Sequence, residues 1–222
     1  MLTTINRAVY TPAMTVDRPA VSRRADILAA AAQLFAQRGY HGTTIGEVGS
    51  ALGLTGPALY RHFRNKEALL AEMLLDISGR LLHAGRHRVA MAASPDAALT
   101  ALLDWHIGFA LDEPALITVH ERELGNVPEP QRHEIRRLQR AYTEEWVQVI
   151  RRLHPEASAE YARAATHAVF GLLNSTPRSA AELGRPAMAS LLHALAHRAL
   201  AGALAAPASA AGSSAGAGPV SE

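Results

Sequence analysis

The chain has 222 residues, a formal net charge of +2 and no cysteine, so disulfides, thiolate metal sites and cysteine nucleophiles are excluded. Hydrophobic residues make up 49% of it and charged residues 19%, which is the composition of a globular protein. No apolar run approaches the roughly 20 residues that a bilayer crossing needs. No secretory signal follows Arg7, so we expect a cytoplasmic protein that does not enter membranes.

Positive charge is concentrated in the first third of the chain. Over residues 1–66, eight Arg and Lys residues stand against three acidic residues, whereas the remainder is net negative. A basic segment on a near-neutral remainder predicts that this end of the protein meets a polyanion.

Helical spacing of apolar residues begins after a segment without any period. Residues 1–21 are predicted to form a flexible arm, and the Ala-, Gly-, Ser- and Pro-rich residues 205–222 a disordered tail. The first apolar stripe ends at Gly39, a natural helix stop. It consists of Ile27, Leu28, Ala31, Leu34 and Phe35.

Two short helices are predicted next. Thr44 and Glu47 have the spacing of a capping box, which predicts a helix over about 45–52. After a glycine-containing turn, Thr55 caps a second short helix with Pro57 in its first turn, where a missing N–H is tolerated. This is the helix-turn-helix layout.

Longer helices are predicted for the rest of the chain. Asn65 caps the first of them, and its apolar stripe continues to Leu81. No β-branched alternating run of strand length is present, so the predicted fold class is all-α. The other predicted helices are one around Leu99–Ala110 ended by Pro114, one entered after Pro128 and Pro130 and continuing to Leu153, and two Ala-rich ones near 156–175 and 184–204, separated by Pro177.

The second short helix has the chemistry of a major-groove reader. Its small first turn, Thr55-Gly56-Pro57, allows the backbone to approach base edges closely, while Leu59 and Phe63 can point inward. The donors left for phosphates or bases are Tyr60, Arg61, His62 and, at the start of the next helix, Lys66. The alternative is an ordinary helical hairpin whose polar residues are only solvated.

This region resembles the DNA-binding domain of the TetR/AcrR family of transcriptional repressors. The matching stretches are Ile27 to Gly39, Gly42-Thr43-Thr44-Ile45, Gly53-Leu54-Thr55, Ala58-Leu59-Tyr60-Arg61-His62-Phe63 and Asn65-Lys66-Glu67-Ala68-Leu69. The resemblance covers about residues 22–82 and implies a three-helix DNA-binding head there. It implies that residues 83–204 form a helical-bundle domain for ligand binding and dimerisation.

The resemblance also implies roles for individual residues. Phosphate contacts fall on Thr44, Tyr60, His62 and Lys66, and base contacts on Thr55, Gly56 and Pro57. Thr43 and Arg61 complete the predicted DNA-binding set. Because each helix-interior glycine costs about 0.5–1 kcal/mol, Gly46, Gly49 and Gly53 further predict a head that is loose when free and orders on DNA.

An effector pocket is expected within residues 83–204. The candidates for lining an apolar pocket with a few polar groups are Trp105, His106, Phe109, His120, Tyr142 and Trp146. The alternative is that the aromatic residues are simply core and the histidines are satisfied interior or surface residues.

One predicted helix has a cationic face. Arg132, Arg136 and Arg140 are spaced i, i+4, i+8, with Arg137 beside them, which suits an anionic effector such as an acyl-CoA. The alternative is a solvated face offset by nearby glutamates. The downstream sequence also resembles actinobacterial regulators linked to acyl-CoA metabolism, through Asn174-Ser175-Thr176-Pro177 among other residues.

Metal binding and catalysis find little support. His83/His87 and His193/His197 have the i, i+4 spacing of helical metal ligands, but neither pair has a clear third ligand, and chance accounts for them. His120-Glu121-Arg122-Glu123-Leu124 has leucine where a zinc-protease motif needs its second histidine. We therefore predict no metal, no cofactor and no catalytic residue.

These observations predict a ligand-responsive, homodimeric transcriptional regulator. The Ala-rich last helices suit a dimer seam, or else pack only within one chain. Two heads in a dimer predict binding to double-stranded DNA at a palindromic operator, from which a small-molecule effector releases the repressor. The competing hypothesis is a helical small-molecule carrier or enzyme with a vestigial DNA-binding head.

Overall fold

A computed structural model of the protein describes residues 20–205, and every regular element within them is helical. The predicted all-α class is therefore confirmed for the described residues, whereas almost all of the predicted arm and tail lie outside them. In chain order the helices are α1 Ala20–Arg38, α2 Ile45–Ala51, α3 Gly56–Tyr60, α4 Lys66–Met91, α5 Pro95–Asp112, α6 Pro114–Glu123, α7 Glu129–Leu153, α8 Ala159–Leu173, α9 Thr176–Ser179 and α10 Arg185–Ala205. Short 3-10 turns follow α6 (Leu124–Asn126) and α9 (Ala180–Glu182).

The first core joins α1, α2, α3 and the N-terminal half of α4. Its largest fully buried side chains include Phe35, Leu59 and Leu69. Leu116, Ile117 and Val119 of α6 belong to the same core, so one helix of the second half of the chain packs directly on the head. Because the core is shared, the DNA-binding head packs directly against α6.

The second core joins α5, α7, α8 and α10. Trp146 of α7 lies at its centre with no exposed surface, packed among apolar residues of the other three helices. Helix α4 contributes to both cores, with Ile77 in the first and Leu82 in the second. The predicted boundary between residues 82 and 83 therefore falls inside one continuous helix.

The observed helices differ from the predicted ones in three places. Helix α6 was not predicted, because Pro114 ends the apolar stripe of α5 and also occupies the first turn of a new helix. Helix α3 ends at Tyr60, so Arg61 and His62 lie in the following turn. Pro177 lies within the short helix α9 rather than in a plain linker.

Candidate DNA-binding surface and effector cavity

The helix-turn-helix is built by caps and glycines. Thr44 caps α2: its Oγ1 accepts from the Glu47 N–H at 3.2 Å, and Glu47 Oε2 accepts from the Thr44 N–H at 2.7 Å, so the predicted capping box is confirmed. Gly53 has a φ of +65°, in the left-handed region that other residues rarely adopt. Gly49 is buried, and a Cβ there would lie 3.2 Å from the Leu54 carbonyl oxygen. Gly49 and Gly53 thus each occupy a position where the local structure favours a residue without a side chain.

The face of α3 that points away from the core is exposed. Leu59 and Phe63 are buried, as predicted, whereas Tyr60 is 53% exposed. Thr55 occupies the predicted N-cap position of α3, but, contrary to the prediction, its side chain makes no capping hydrogen bond, which leaves its hydroxyl available to a ligand. The other predicted contact residues that are exposed are Thr44, Gly56, Pro57 and Arg61, and His62 is half-buried.

Besides Thr44, which caps α2, two of the predicted DNA contacts have other partners in the structure. Thr43 is fully buried, and its hydroxyl lies 3.0 Å from the Gly39 carbonyl oxygen, to which it donates. Lys66 Nζ donates to the carbonyl oxygens of Tyr40 and Thr43, both at 2.9 Å, and lies 4.2 Å from the centre of the Tyr40 ring. These side chains fix the turn before α2 and are not free on the exposed face.

Arg24 of α1 holds the end of α3 in place. Its Nη1 donates to the His62 carbonyl oxygen at 2.6 Å, and its guanidinium lies 4.2 Å from the centre of the Phe63 ring. A bidentate pair with Glu72 completes the arrangement, and the hydrogen bond with Glu72 raises the pKa of Arg24. The role of Arg24 was missed, because no local sequence pattern reports a contact 38 residues away.

Unpaired positive charge remains beside α3. Arg61 and Arg64 are exposed and form no ion pair with any described residue. In contrast, Arg38 pairs with Glu47 at 3.0 Å. Arg64 was not among the predicted contacts, although its place beside Arg61 in a basic segment could have suggested it.

A cavity of about 340 Å³ lies between α4, α5, α6, α7 and α8. Four of the six predicted effector residues line it, namely His106, Phe109, His120 and Tyr142. Much of the remaining lining is apolar: Ile77, Leu81, Leu116, Ile117 and Phe170. Asn174 and Ser78 are among its further polar residues. A mostly apolar cavity with a few polar groups is typical of a small-molecule site.

The two tryptophans do not line this cavity. Trp146 is fully buried behind it, with its ring edge-on to His106 at 6.0 Å between centroids. Trp105 lies under the guanidinium of Arg88, whose Cζ is 4.3 Å from the ring centre. Trp105 precedes His106 by one residue, so its side chain points roughly 100° away from that of His106 around α5. Trp146 follows Tyr142 by four residues and lies on the same side of α7, but one turn further along, where it packs in the second core.

His106 is the most deeply buried polar group of the cavity. Its Nδ1 lies 3.3 Å from the Tyr142 hydroxyl and its Nε2 lies 3.0 Å from Asn174 Oδ1. The ring stacks on Phe170 at 4.8 Å between centroids. Burial lowers the pKa of His106 to about 4 and raises that of Tyr142, so both are neutral near pH 7.

A cationic groove of about 360 Å³ adjoins the cavity. Arg136 and Arg140 of α7 and Arg163 of α8 line it, and it shares Gln139, Thr143 and His167 with the cavity. Arg163 pairs with Glu144 at 3.0 Å, whereas Arg136 and Arg140 have no ion pair among the described residues. The two other arginines of this face, Arg132 and Arg137, pair with Glu129 and Glu134 on their own helix.

Helix α6 connects the cavity to the head. Its His120 lines the cavity, and the buried Glu123 at its end accepts from the Tyr40 N–H at 3.1 Å. Asn126 Nδ2 donates to the other Glu123 oxygen at 2.8 Å, and Asn126 Oδ1 accepts from His41 Nε2–H at 3.1 Å. The turn between α1 and α2 is thereby tied to the helix that bounds the cavity.

Neither histidine pair belongs to a metal cluster. Within residues 20–205, no three His, Cys, Asp or Glu side chains gather as metal ligands would. His193 and His197 stack at 6.1 Å between ring centroids, and His193 Nε2 lies 3.6 Å from Asp104. No helix in the described part of the chain is both long and apolar enough to cross a membrane.

The fold and these surfaces define a helix-turn-helix protein with a second, cavity-bearing helical domain. Residues 27–73 match the family model described as bacterial regulatory proteins of the tetR family, and residues 92–202 match the tetracyclin repressor-like C-terminal domain. The chain belongs to the tetR family of transcriptional regulators.

Individual relatives agree with this assignment. The HTH-type transcriptional repressor KstR2 of Mycolicibacterium smegmatis is 36% identical over 88 residues, which cover 40% of this chain and 42% of that protein. The aligned part thus spans about two fifths of that relative's length. A TetR-family regulator from Bordetella parapertussis has a structure with a TM-score of 0.71 and 26% identity, covering 82% of this chain and 94% of that one. The fold is also similar to that of FadR from Bacillus subtilis in complex with stearoyl-CoA, with a TM-score of 0.64, 16% identity and coverage of 82% and 97%.

Proposed function

We propose that this protein is a homodimeric transcriptional repressor that leaves a palindromic operator when a small-molecule effector fills the cavity. In this proposal residues 22–82 bind double-stranded DNA, and residues 83–204 bind the effector and form the dimer. The observation that carries it is the exposed face of α3, with unpaired Arg61 and Arg64 beside a free Thr55 hydroxyl. Positive charge positions such a helix on phosphates, and side chains at its start read bases.

The proposed DNA contacts fall into two groups. Thr55, Gly56 and Pro57 face the bases from the first turn of α3, and Tyr60 and Arg61 face the phosphates. The remaining contacts of the predicted set are Thr43, Thr44, His62 and Lys66. Of these, Thr43 and Lys66 act indirectly, through the turn that they hold.

Binding experiments with two variants separate these roles. Genomic fragments that the protein retains are sequenced to obtain an operator, and affinity is measured by fluorescence anisotropy on it and on random DNA. Tyr60→Ala is expected to weaken both by a similar factor, whereas Pro57→Ala is expected to change their ratio. Arg152→Ala, which removes an exposed arginine outside the head, is the control. Equal effects of both head variants on operator and random DNA would contradict the assignment.

The dimer is proposed to form through α8 and α10. Large apolar side chains stand exposed on these helices, with Tyr161 46%, Leu191 42% and Leu195 45% exposed. A row of exposed apolar residues is costly in water and is buried by a second copy. The twofold axis of such a dimer places two α3 helices on one palindromic site.

The proposed effector has an apolar body and an anionic head. The cavity accepts the apolar body, and the adjoining groove offers unpaired Arg136 and Arg140 to phosphates. An acyl-CoA has this combination of groups, and the similarly folded FadR is known in complex with stearoyl-CoA. Binding that favours a different position of α6 would move the α1–α2 turn through Glu123 and release DNA.

The effector class is tested by calorimetry with decanoyl-CoA, decanoate and CoA alone. Decanoyl-CoA is expected to bind and to release operator DNA, and each fragment is expected to bind more weakly. Arg136→Ala combined with Arg140→Ala is expected to weaken decanoyl-CoA binding roughly tenfold or more. Arg137→Ala is the matched control, because Arg137 lies on the same helix but pairs with Glu134. Equal loss in the control and the double variant would contradict a role for the groove.

A further inference from the structure

Three side chains form a hydrogen-bonded chain in the cavity between α5 and the C-terminal end of α8. His106 lies between the Tyr142 hydroxyl at 3.3 Å and Asn174 Oδ1 at 3.0 Å. The neighbouring lining is aromatic, with Phe109 and Phe170. The hydrogen-bond donors and acceptors that these three side chains leave unpaired determine which ligand atoms can bind here.

The direction of the two hydrogen bonds follows from satisfying every donor. His106 is neutral, so one of its ring nitrogens donates and the other accepts. If Nδ1 donated to Tyr142, the buried phenolic O–H would have no acceptor among the described residues, which is costly. The Tyr142 hydroxyl therefore donates to Nδ1, and Nε2–H donates to Asn174 Oδ1.

This arrangement fixes the orientation of the Asn174 amide. Its oxygen is engaged by His106, so the Nδ2 group holds the remaining donors, and these have no partner among the described residues. Asn174 is half-buried and lines the cavity. The chain from Tyr142 through His106 thus presents a hydrogen-bond donor to whatever occupies the cavity.

We infer that the cavity selects an effector whose apolar body carries a carbonyl oxygen, which accepts a hydrogen bond from the Asn174 amide. Asn174 is the contact residue, and His106 is a positioning residue that holds the amide in its donor orientation. A ligand with only methylene groups at this place would cover the donor without pairing it. A site built to hydrogen-bond one group rejects the analogue that lacks it. This inference rests on the proposal that the cavity is the effector site.

The position of the carbonyl along the ligand follows from α8. His167 of α8 belongs to both the cavity and the cationic groove, and Asn174 lies seven residues further along. At a rise of 1.5 Å per residue, the donor lies roughly 10 Å from the groove. The donor therefore lies well inside the cavity, past its boundary with the groove, and the preferred carbonyl is expected on the far part of the acyl chain and not at the anionic head.

Two matched probes test the inference: 9-oxodecanoyl-CoA and decanoyl-CoA. They share the same anionic head and chain length and differ in one oxygen. Calorimetry on the full-length protein is expected to show tighter binding of the oxo probe by roughly 10- to 100-fold. The same order is expected for the concentrations that release operator DNA.

Variants assign the preference to Asn174. Asn174→Leu keeps the side-chain size and is compatible with the backbone φ of −79°, so it is expected to fold and to bind both probes equally. His106→Phe is expected to reduce the preference while leaving some binding, because the amide is then free to rotate. Ser78→Ala changes another polar cavity residue and is expected to keep the wild-type ratio.

The outcomes separate this inference from the proposed function. Equal affinity of wild-type protein for both probes would overturn the inference and leave the effector class intact. An unchanged preference in Asn174→Leu would also overturn it, because another group would then read the carbonyl. If neither probe binds, the proposed acyl-CoA class fails and the inference fails with it.

Discussion

His106 is a buried residue on which both stability and the proposed effector recognition depend. It lies within an aromatic cluster, is 3% exposed and keeps both ring nitrogens hydrogen-bonded without carrying a charge. Because burial holds the folded-state pKa near 4, protonation at mildly acidic pH favours the unfolded chain, in which a histidine titrates near 6.5.

Stability is therefore expected to decrease as the pH is lowered through a defined range. Between about pH 6.5 and 4 the unfolded state binds a proton that folded His106 does not, so the free energy of unfolding decreases as pH falls, by up to about 1.4 kcal/mol per pH unit. His120 acts in the same direction, because burial lowers its pKa as well. Urea unfolding from pH 7.5 to 5 is expected to show a steeper loss for wild-type protein than for His106→Gln. Identical pH profiles would mean that His106 titrates normally.

At the scale of the element, the glycines of the helix-turn-helix have different structural roles. Gly49 allows α2 to approach the turn before α3, and Gly53 adopts a positive φ outside the helix. Of the three glycines, only Gly46 is both inside α2 and exposed, and a Cβ there would meet Thr44 Oγ1 at an ordinary contact distance of 3.9 Å. The sequence-based expectation of a helix weakened by three glycines therefore counts Gly53 wrongly, and a head that orders on DNA remains a prediction.

Two alanine substitutions with the same added methyl group are expected to have opposite effects. Gly46→Ala is expected to stabilise the protein by about 0.5–1 kcal/mol, since it removes backbone entropy from the unfolded chain at an unstrained helical site. Gly53→Ala is expected to destabilise it by about 1–2 kcal/mol, because a Cβ strains the left-handed conformation. Chemical denaturation measures both. A stabilising Gly53→Ala would contradict the turn described above.

Also at this scale, α6 is expected to transmit the effector signal through Glu123. Glu123→Gln leaves an amide N–H facing either the Tyr40 N–H or the Asn126 amide, both of which donate in the structure. We expect unchanged effector affinity without DNA, but a smaller factor by which effector weakens operator binding. Glu134→Gln on the exposed face of α7 is the control. An undiminished effector response in Glu123→Gln would place the coupling elsewhere.

At the scale of the whole molecule, the proposed function depends on how two copies would meet. Leu191→Arg combined with Leu195→Arg is expected to yield a monomer in sedimentation experiments, because like charges then face each other across the proposed seam. Affinity for a full palindrome should fall accordingly. Met91→Arg alters another exposed apolar side chain, 73% exposed at the end of α4, and should leave the dimer intact. A dimeric double variant would exclude this face.

Much of the fold could be predicted from the sequence, because its signals are local. The cap formed by Thr44 and Glu47, the inward Leu59 and Phe63, and the start of α4 at Asn65 each depend on residues within one or two helical turns. Helix α6 was missed for the same reason, since a proline ends one helix and begins another with equal ease.

The candidate sites could be predicted only in part. His106 and Tyr142 were identified because aromatic and polar residues shared apolar stripes, but the same pattern also selected Trp146, which lies behind the cavity. The sequence predicts that Lys66 contacts a phosphate, whereas in the structure its Nζ donates to two carbonyl oxygens of the protein. Side-chain partners far apart in sequence decide these cases.

The sequence by itself determined the helical class, the helix-turn-helix and its family, because caps, turns and apolar periods act over a few residues. Only the tertiary structure decided which of the arginines on α7 remain unpaired, and that Arg163 joins them in a groove beside the cavity. It alone brought His106 of α5, Tyr142 of α7 and the C-terminal end of α8 together. Helix packing sets these neighbours, since a cavity is formed by the space that several helices leave between them.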